Sequence, residues 1–119
     1  MNMVIVPWPP KECSPNARVH WSKKAKAAKA YKHTCWALAK EASLKVDWDG
    51  KVHLWVTFVP PDRRIRDVDN AVSSIKNGLD GIAMAIGIDD SRFVLHPCMH
   101  TDRMRFGGAV EVRLSAGAA

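Results

Sequence analysis

The run KVHLWVTFV, residues 51–59, alternates without a break. In an extended chain Val52, Leu54, Val56 and Phe58 point one way, and His53, Trp55, Thr57 and Val59 point the other. A strand of this pattern needs a sheet whose one face is buried. Pro60 and Pro61 end it, because proline cannot donate to a ladder. Soon after, DNAVSSIKNGLDGIAMAIG, residues 69–87, changes to the helical period. Val68, Val72, Ile75, Leu79, Ile82 and Ile86 form its apolar stripe. A half-buried strand followed by a one-faced helix is most simply satisfied by laying the helix on the sheet. Gly78 and Gly81 stand inside that helix and each costs about 1 kcal/mol against alanine. Gly87 is a natural residue to follow its last turn.

The remaining elements fall into place around this pair. MVIVPW, residues 3–8, reads as a short strand ended by Pro9 and Pro10, and residues 11–21 read as loop. Ser22 is the expected N-cap of an Ala- and Lys-rich helix over residues 22–45. Its apolar face carries Ala28, Tyr31, Cys35, Leu38 and Ala42, and its opposite face carries Lys26, Lys29, His33 and Lys40. DWDG, residues 47–50, is a turn signal. Residues 92–101 and 109–115 read as two further strands joined by a turn at Gly107 and Gly108, and the final AGAA reads as a frayed tail. The expected order is β-α-β-α-β-β, a single domain over residues 1–119 of class α+β, a mixed sheet covered by two helices.

At 119 residues the chain is long enough to bury a core without disulfides or metals. Cys13, Cys35 and Cys98 are odd in number and contain no CxxC pair, as expected of a reducing cytoplasm. The short apolar run at the start has no basic segment before it and stops at prolines, so no signal peptide is expected. No apolar run approaches the length of a membrane span. A net charge of +6 and an isoelectric point of about 9.5 favour an anionic partner, most often nucleic acid.

The chemistry concentrates in PDRRIRDVDN, residues 61–70. Arg63, Arg64 and Arg66 run into Asp67 and Asp69. Two ionised carboxylates about 4 Å apart repel by roughly 4 kcal/mol at an effective dielectric of 20. A divalent cation between them, or a proton on one, relieves that repulsion, and Mg²⁺ suits a site with few carboxylates and several waters. Capping of the helix is the plain alternative, since acidic residues are favoured there. Asp89 and Asp90 follow the helix directly. A straight helix between the two acidic groups spans about 27 Å, so they meet only if the helix is shorter or bent, or if the second group comes from a partner chain. Asp69, Ser73, Lys76 and Asp80 lie along one polar stripe of that helix, Lys76 and Asp80 each within about 20° of Asp69. A lysine there could neutralise a phosphate, or simply pair with Asp80 on a solvated face.

PWPP near the start, PDRRIRDVDN in the middle and DGIAMAIGIDDSRF after the helix resemble, in this order and spacing, the RusA-type Holliday junction resolvases. PPKECSPNARVHW followed by a Lys/Ala helix is most similar to the phage-associated branch of that family. The resemblance runs from about residue 5 to about residue 114. It implies a homodimeric α+β endonuclease that uses Mg²⁺, with Mn²⁺ as a possible substitute. Such an enzyme binds four-way DNA junctions and nicks two opposing strands. Carried over by position, Asp67, Asp69 and Asp90 are the metal-binding carboxylates, with Asp89 as the rival of Asp90. Lys76 is the catalytic lysine, matched by its K-x-x-x-D spacing to Asp80. In many members the lysine stands one turn after the second aspartate, where this chain has Ser73. Arg63, Arg64 and Arg66, with Lys26 and Lys29, would hold backbone phosphates without reading sequence.

Other signals are weaker. His96, Cys98 and His100 share one face of a strand, a spacing that zinc could use, but a fourth ligand is not evident and Pro97 interrupts the strand. His20 and Trp21 could contact DNA or anchor the loop before the first helix. Trp8, Trp36, Trp48 and Trp55 fit core or dimer contacts better than base stacking. Two rival readings remain: a metal nuclease acting on other branched DNA such as flaps or forks, and a basic DNA-binding protein without catalysis.

Overall fold

The computed structural model describes residues 2–100 and 105–117. Four strands form one mixed sheet: β1 (Met3–Pro7), β2 (Val52–Val59), β3 (Phe93–Met99) and β4 (Ala109–Ser115). Two helices, α1 (Trp21–Glu41) and α2 (Val68–Ile86), cover one face, and two single-turn 3-10 segments lie at Lys11–Cys13 and Asp90–Arg92. The chain is a small α+β domain with a four-stranded mixed sheet. Among the described residues no helix is long and apolar enough to cross a membrane. The end of the expected tail, residues 118–119, and Thr101 of the expected third strand lie outside the described residues.

The strands stand in the order β1-β4-β2-β3. β4 pairs antiparallel with both β1 and β2, while β3 runs parallel to β2. The last two strands therefore do not form a hairpin with each other; β2 lies between them. β2-α2-β3 is a parallel crossover, which needs a long connection such as this helix. The alternation of β2 is realised as expected. Val52, Leu54, Val56 and Phe58 are buried with Val4, Val6, Val110, Val112 and Leu114 beneath the helices. Among the described residues no helix lies on the reverse face. There Trp55 stacks on His96 at 4.1 Å, and the Arg113 guanidinium lies 5.3 Å from the Trp55 ring centroid.

The helices differ from expectation at their ends. His20, not Ser22, caps α1: its ring nitrogen accepts from the Ser22 amide at 3.2 Å, and the Ser22 hydroxyl is 2.7 Å from the same nitrogen. Trp21 opens the helix and is 74% exposed. α1 stops at Glu41 rather than at residue 45. Ser43 adopts the left-handed conformation at φ 54°, and the amides of Ser43 and Leu44 turn back onto the carbonyls of Lys40 and Ala39. α2 ends as expected, with Gly87 left-handed at φ 72°.

The two internal glycines of α2 face α1. A Cβ on Gly78 would stand 2.7 Å from Tyr31 Cε2 and 2.8 Å from Cys35 Sγ, and one on Gly81 would overlap the Lys32 carbonyl oxygen. The low helix propensity of glycine is thus tolerated because it lets two backbones approach. Tyr31 is buried at the contact, and its hydroxyl donates to the Pro7 carbonyl at 2.7 Å, tying β1 to the helix pair. Burial raises the Tyr31 hydroxyl pKa and pushes the Cys35 thiol up to about 11, so Cys35 is a packing residue rather than a nucleophile. Gly81→Ala should lower unfolding free energy by about 1–3 kcal/mol despite its better helix propensity. Urea titration checks this, and an unchanged or higher midpoint would contradict the close approach.

Candidate functional site

The segment between β2 and α2 is organised by Asp62. Its carboxylate accepts from the Arg64 amide at 2.9 Å and pairs with Arg66 Nη2 at 2.9 Å and, more loosely, with Arg64 Nη2 at 3.4 Å. These contacts, led by the Arg64 amide, hold the Asp62 carboxyl below its ordinary pKa. Arg66 also donates to the carbonyls of Asp62 and Arg64 and lies over the Trp8 ring at 5.4 Å. Of the three arginines expected to face phosphate, Arg66 is folded back into its own loop as a brace. Arg63 and Arg64 are exposed, as are Lys26 and Lys29 on α1.

Asp67 is the N-cap of α2. Its Oδ1 accepts from the Asp69 amide at 2.9 Å. The other carboxylate oxygen has no partner among the described residues, and Asp69 is exposed in the first turn of the helix. Capping and ligand binding are thus compatible at Asp67, one oxygen to each.

The second acidic group lies at the other end of α2. The left-handed turn at Gly87 brings the chain back so that Asp90 meets Asp80. Burial first, then the hydrogen bond and charge of Asp90, raise the Asp80 pKa, while Lys32 and Lys76 pull it down. Asp89 is occupied differently: it caps the 3-10 turn, accepting from the Ser91 amide at 2.8 Å, and this bond lowers its pKa. Asp90 is therefore the carboxylate turned to Asp80. Lys76 is exposed on the α2 stripe and acts electrostatically on Asp80. The sequence places Asp80 beside Lys76 on one stripe through the K-x-x-x-D spacing, but gives no sign that Asp90 meets it, and nothing marks Lys32.

The structure does not bring Asp67 and Asp69 together with Asp90 in one chain: Asp67 caps α2 and Asp69 lies in its first turn, whereas Asp90 folds back onto Asp80, which stands about 16 Å further along the helix. Among the described residues no group of three or more His, Cys, Asp or Glu is set to hold a metal. His96, one of the strand residues weighed for zinc, is 2.8 Å from the ring nitrogen of His53.

A raised Asp80 pKa means that this carboxyl opposes folding once it ionises. Its contribution is most favourable below the unfolded value of 3.8 and is lost as pH rises through the folded value. Asp80→Asn, which keeps a hydrogen-bonding group beside Asp90, should therefore raise the melting temperature at pH 7–8, with the gain shrinking towards pH 4. Thermal melts across that range check it; a lower melting point at pH 8 would show that the lysines already stabilise the charged pair.

No family model matches the chain. A protein of Xylella fastidiosa described as uncharacterized is 41% identical over 118 residues, covering 97% of this chain and 76% of its own. Among solved structures, IspF of Plasmodium falciparum in a CDP complex is similar at 18% identity and a TM-score of 0.32, over 76% of this chain. The chain spans about half (53%) of that IspF chain, and the likeness is too slight to define a common fold. By identity and coverage, this chain belongs to one family with the Xylella fastidiosa protein.

Proposed function

We propose that this chain is a Mg²⁺-dependent, structure-selective DNA endonuclease of the RusA type that resolves four-way junctions by paired nicks, acting as a homodimer in the cytoplasm. The observation that carries the reading is the division of its acidic residues between the two ends of α2. Asp67 and Asp69 stand at one end, and the Asp80–Asp90 pair with Lys32 and Lys76 stands towards the other. Each end holds only part of a ligand set. Completing a set calls for a second copy, and a two-fold dimer built that way has two equivalent sites, as two symmetric cuts require.

In this reading Asp67, Asp69 and Asp90 hold the metal, and Asp90 is preferred to Asp89 because it is the carboxylate that meets Asp80 beside Lys32 and Lys76. Asp67 can serve through its uncapped oxygen. The cation would lower the pKa of a bound water and offset charge on the phosphodiester. Lys76 would add positive charge on the same helix stripe, close to the reacting phosphate. Arg63, Arg64, Lys26 and Lys29 supply exposed charge for the DNA backbone, and Arg66 keeps the loop of Arg63 and Arg64 in shape. The residues fit a cation that takes one or two carboxylates and several waters. The capping bond of Asp67 is the one feature that favours the rival, a DNA-binding protein without catalysis. Other branched DNA, flaps or forks, is the alternative substrate.

Cleavage of a labelled synthetic four-way junction with Mg²⁺, beside a flap and linear duplex, tests the reading. Symmetric nicks in the junction alone are expected. Asp67→Asn and Asp69→Asn should each reduce cleavage by on the order of a hundredfold or more while DNA binding persists. A mixture of Asp67→Asn and Asp90→Asn proteins should recover cleavage, since a mixed dimer with sites shared between chains retains one intact site. No recovery would place the ligands otherwise, and binding without cutting under several divalent metals would favour the non-catalytic reading.

A further inference from the structure

Between the Trp8-Pro9-Pro10 segment and the start of α2 lies a cavity of about 290 Å³, close to the lower bound of about 300 Å³ for small-molecule pockets. Its walls are of two kinds. Trp8, Pro9, Phe58 and Ile65 make an apolar side, and Asn70 and Ser74 on α2 make a polar side. Trp8 is fixed in place: it meets Phe58 edge-on at 6.0 Å and carries Arg66 over its ring at 5.4 Å. Gly108 packs so closely on Trp8 that a Cβ there would come within 2.8 Å of the Trp8 Cβ. Ser74 is committed, donating to the Asn70 carbonyl at 2.8 Å. The Asn70 side chain is half-buried and has no hydrogen bond among the described residues, so it offers both donors and an acceptor. Asp67 forms part of the same wall.

A flat group with apolar faces, donors and acceptors at its edge and an attached phosphate matches this arrangement. We propose that the cavity receives one unstacked nucleobase of the DNA strand bound at Asp67 and Asp69, and that Asn70 reads its edge. The inference rests on the nuclease reading for the strand and adds the source of a cleavage-site preference. Asparagine pairs with a base edge through both its amide groups. A branch point interrupts continuous stacking, so a base there costs less to extrude and filling the cavity costs least at a branch point. A fully stacked duplex cannot fill it without opening, and the cavity thereby contributes to selection of structure as well as of sequence.

The test is a scan of single abasic sites through the strand on either side of the cut in a synthetic four-way junction. Affinity is measured in EDTA and cleavage in Mg²⁺, using wild type and Asn70→Ala. One position is expected to lower affinity or rate by roughly tenfold or more when its base is removed, with neighbours changing by less than about threefold. Changing the base at that position should alter wild-type cleavage by a similar factor and Asn70→Ala much less. Circular dichroism confirms that Asn70→Ala is folded, and Trp8→Phe, which keeps an aromatic wall, should retain the dependence on position. A uniform response along the strand, or a preference that Asn70→Ala leaves intact, overturns the proposal. Failure of the nuclease reading would look different: no cut in any metal, with the affinity scan in EDTA still reporting on the cavity.

Discussion

The close contact of α1 with α2 sets the rest of the molecule. Gly78 and Gly81 remove two side chains from the middle of α2, so that Tyr31, Cys35 and the Lys32 carbonyl can lie against its backbone. With α1 so placed, Tyr31 reaches the Pro7 carbonyl, and the N-terminal strand is held beneath the helices. The direction of α2 then follows from β2 and β3, which are parallel and must be joined by an antiparallel return. That return carries the Asp67 cap to one end of the sheet and the Gly87 turn to the other. A packing requirement with no chemistry of its own thus separates the acidic groups.

The loop that precedes α2 shows charge put to structural use. Asp62 collects the Arg64 amide and both guanidinium groups. A loop without regular hydrogen bonds gains order from these contacts, and Arg66 extends that order to Trp8. The net effect is to fix the wall of a cavity with residues that sequence alone would assign to an anion.

Much of the fold was legible, for identifiable reasons. β2 and β4 carry clear alternation, and α2 has both an acidic cap and a glycine stop, so their limits fall within a residue or two of expectation. The end of α1 was not legible, because Ser43 takes a left-handed conformation that glycine usually announces. Strand order was not legible either: periodicity says which face is buried, not which neighbour lies alongside. At the candidate site, the positions of Asp67 and Asp69 at the head of a helix could be read. The meeting of Asp80 with Asp90 could not, since it depends on how Gly87 redirects the chain. The retreat of Arg66 needed knowledge of its partner Asp62 across a non-helical loop. That the Asn70 amide makes no hydrogen bond among the described residues could not be read from sequence either, because it depends on the bonds that neighbours do not make.

The sheet order has a consequence for the birth of the molecule. β4 lies between β1 and β2, so Met3 finds its register partner only in Arg113. During synthesis the first strand must wait, unpaired, until nearly all of the described chain has emerged. β2, α2 and β3 can associate earlier, since the helix between them is a short-range connection. Closing the sheet is then a late event that joins distant segments, with the entropy of a long loop against it. Until then, Val4 and Val6 are apolar residues on a strand with open edges, the condition in which a nascent chain is most exposed to mispairing.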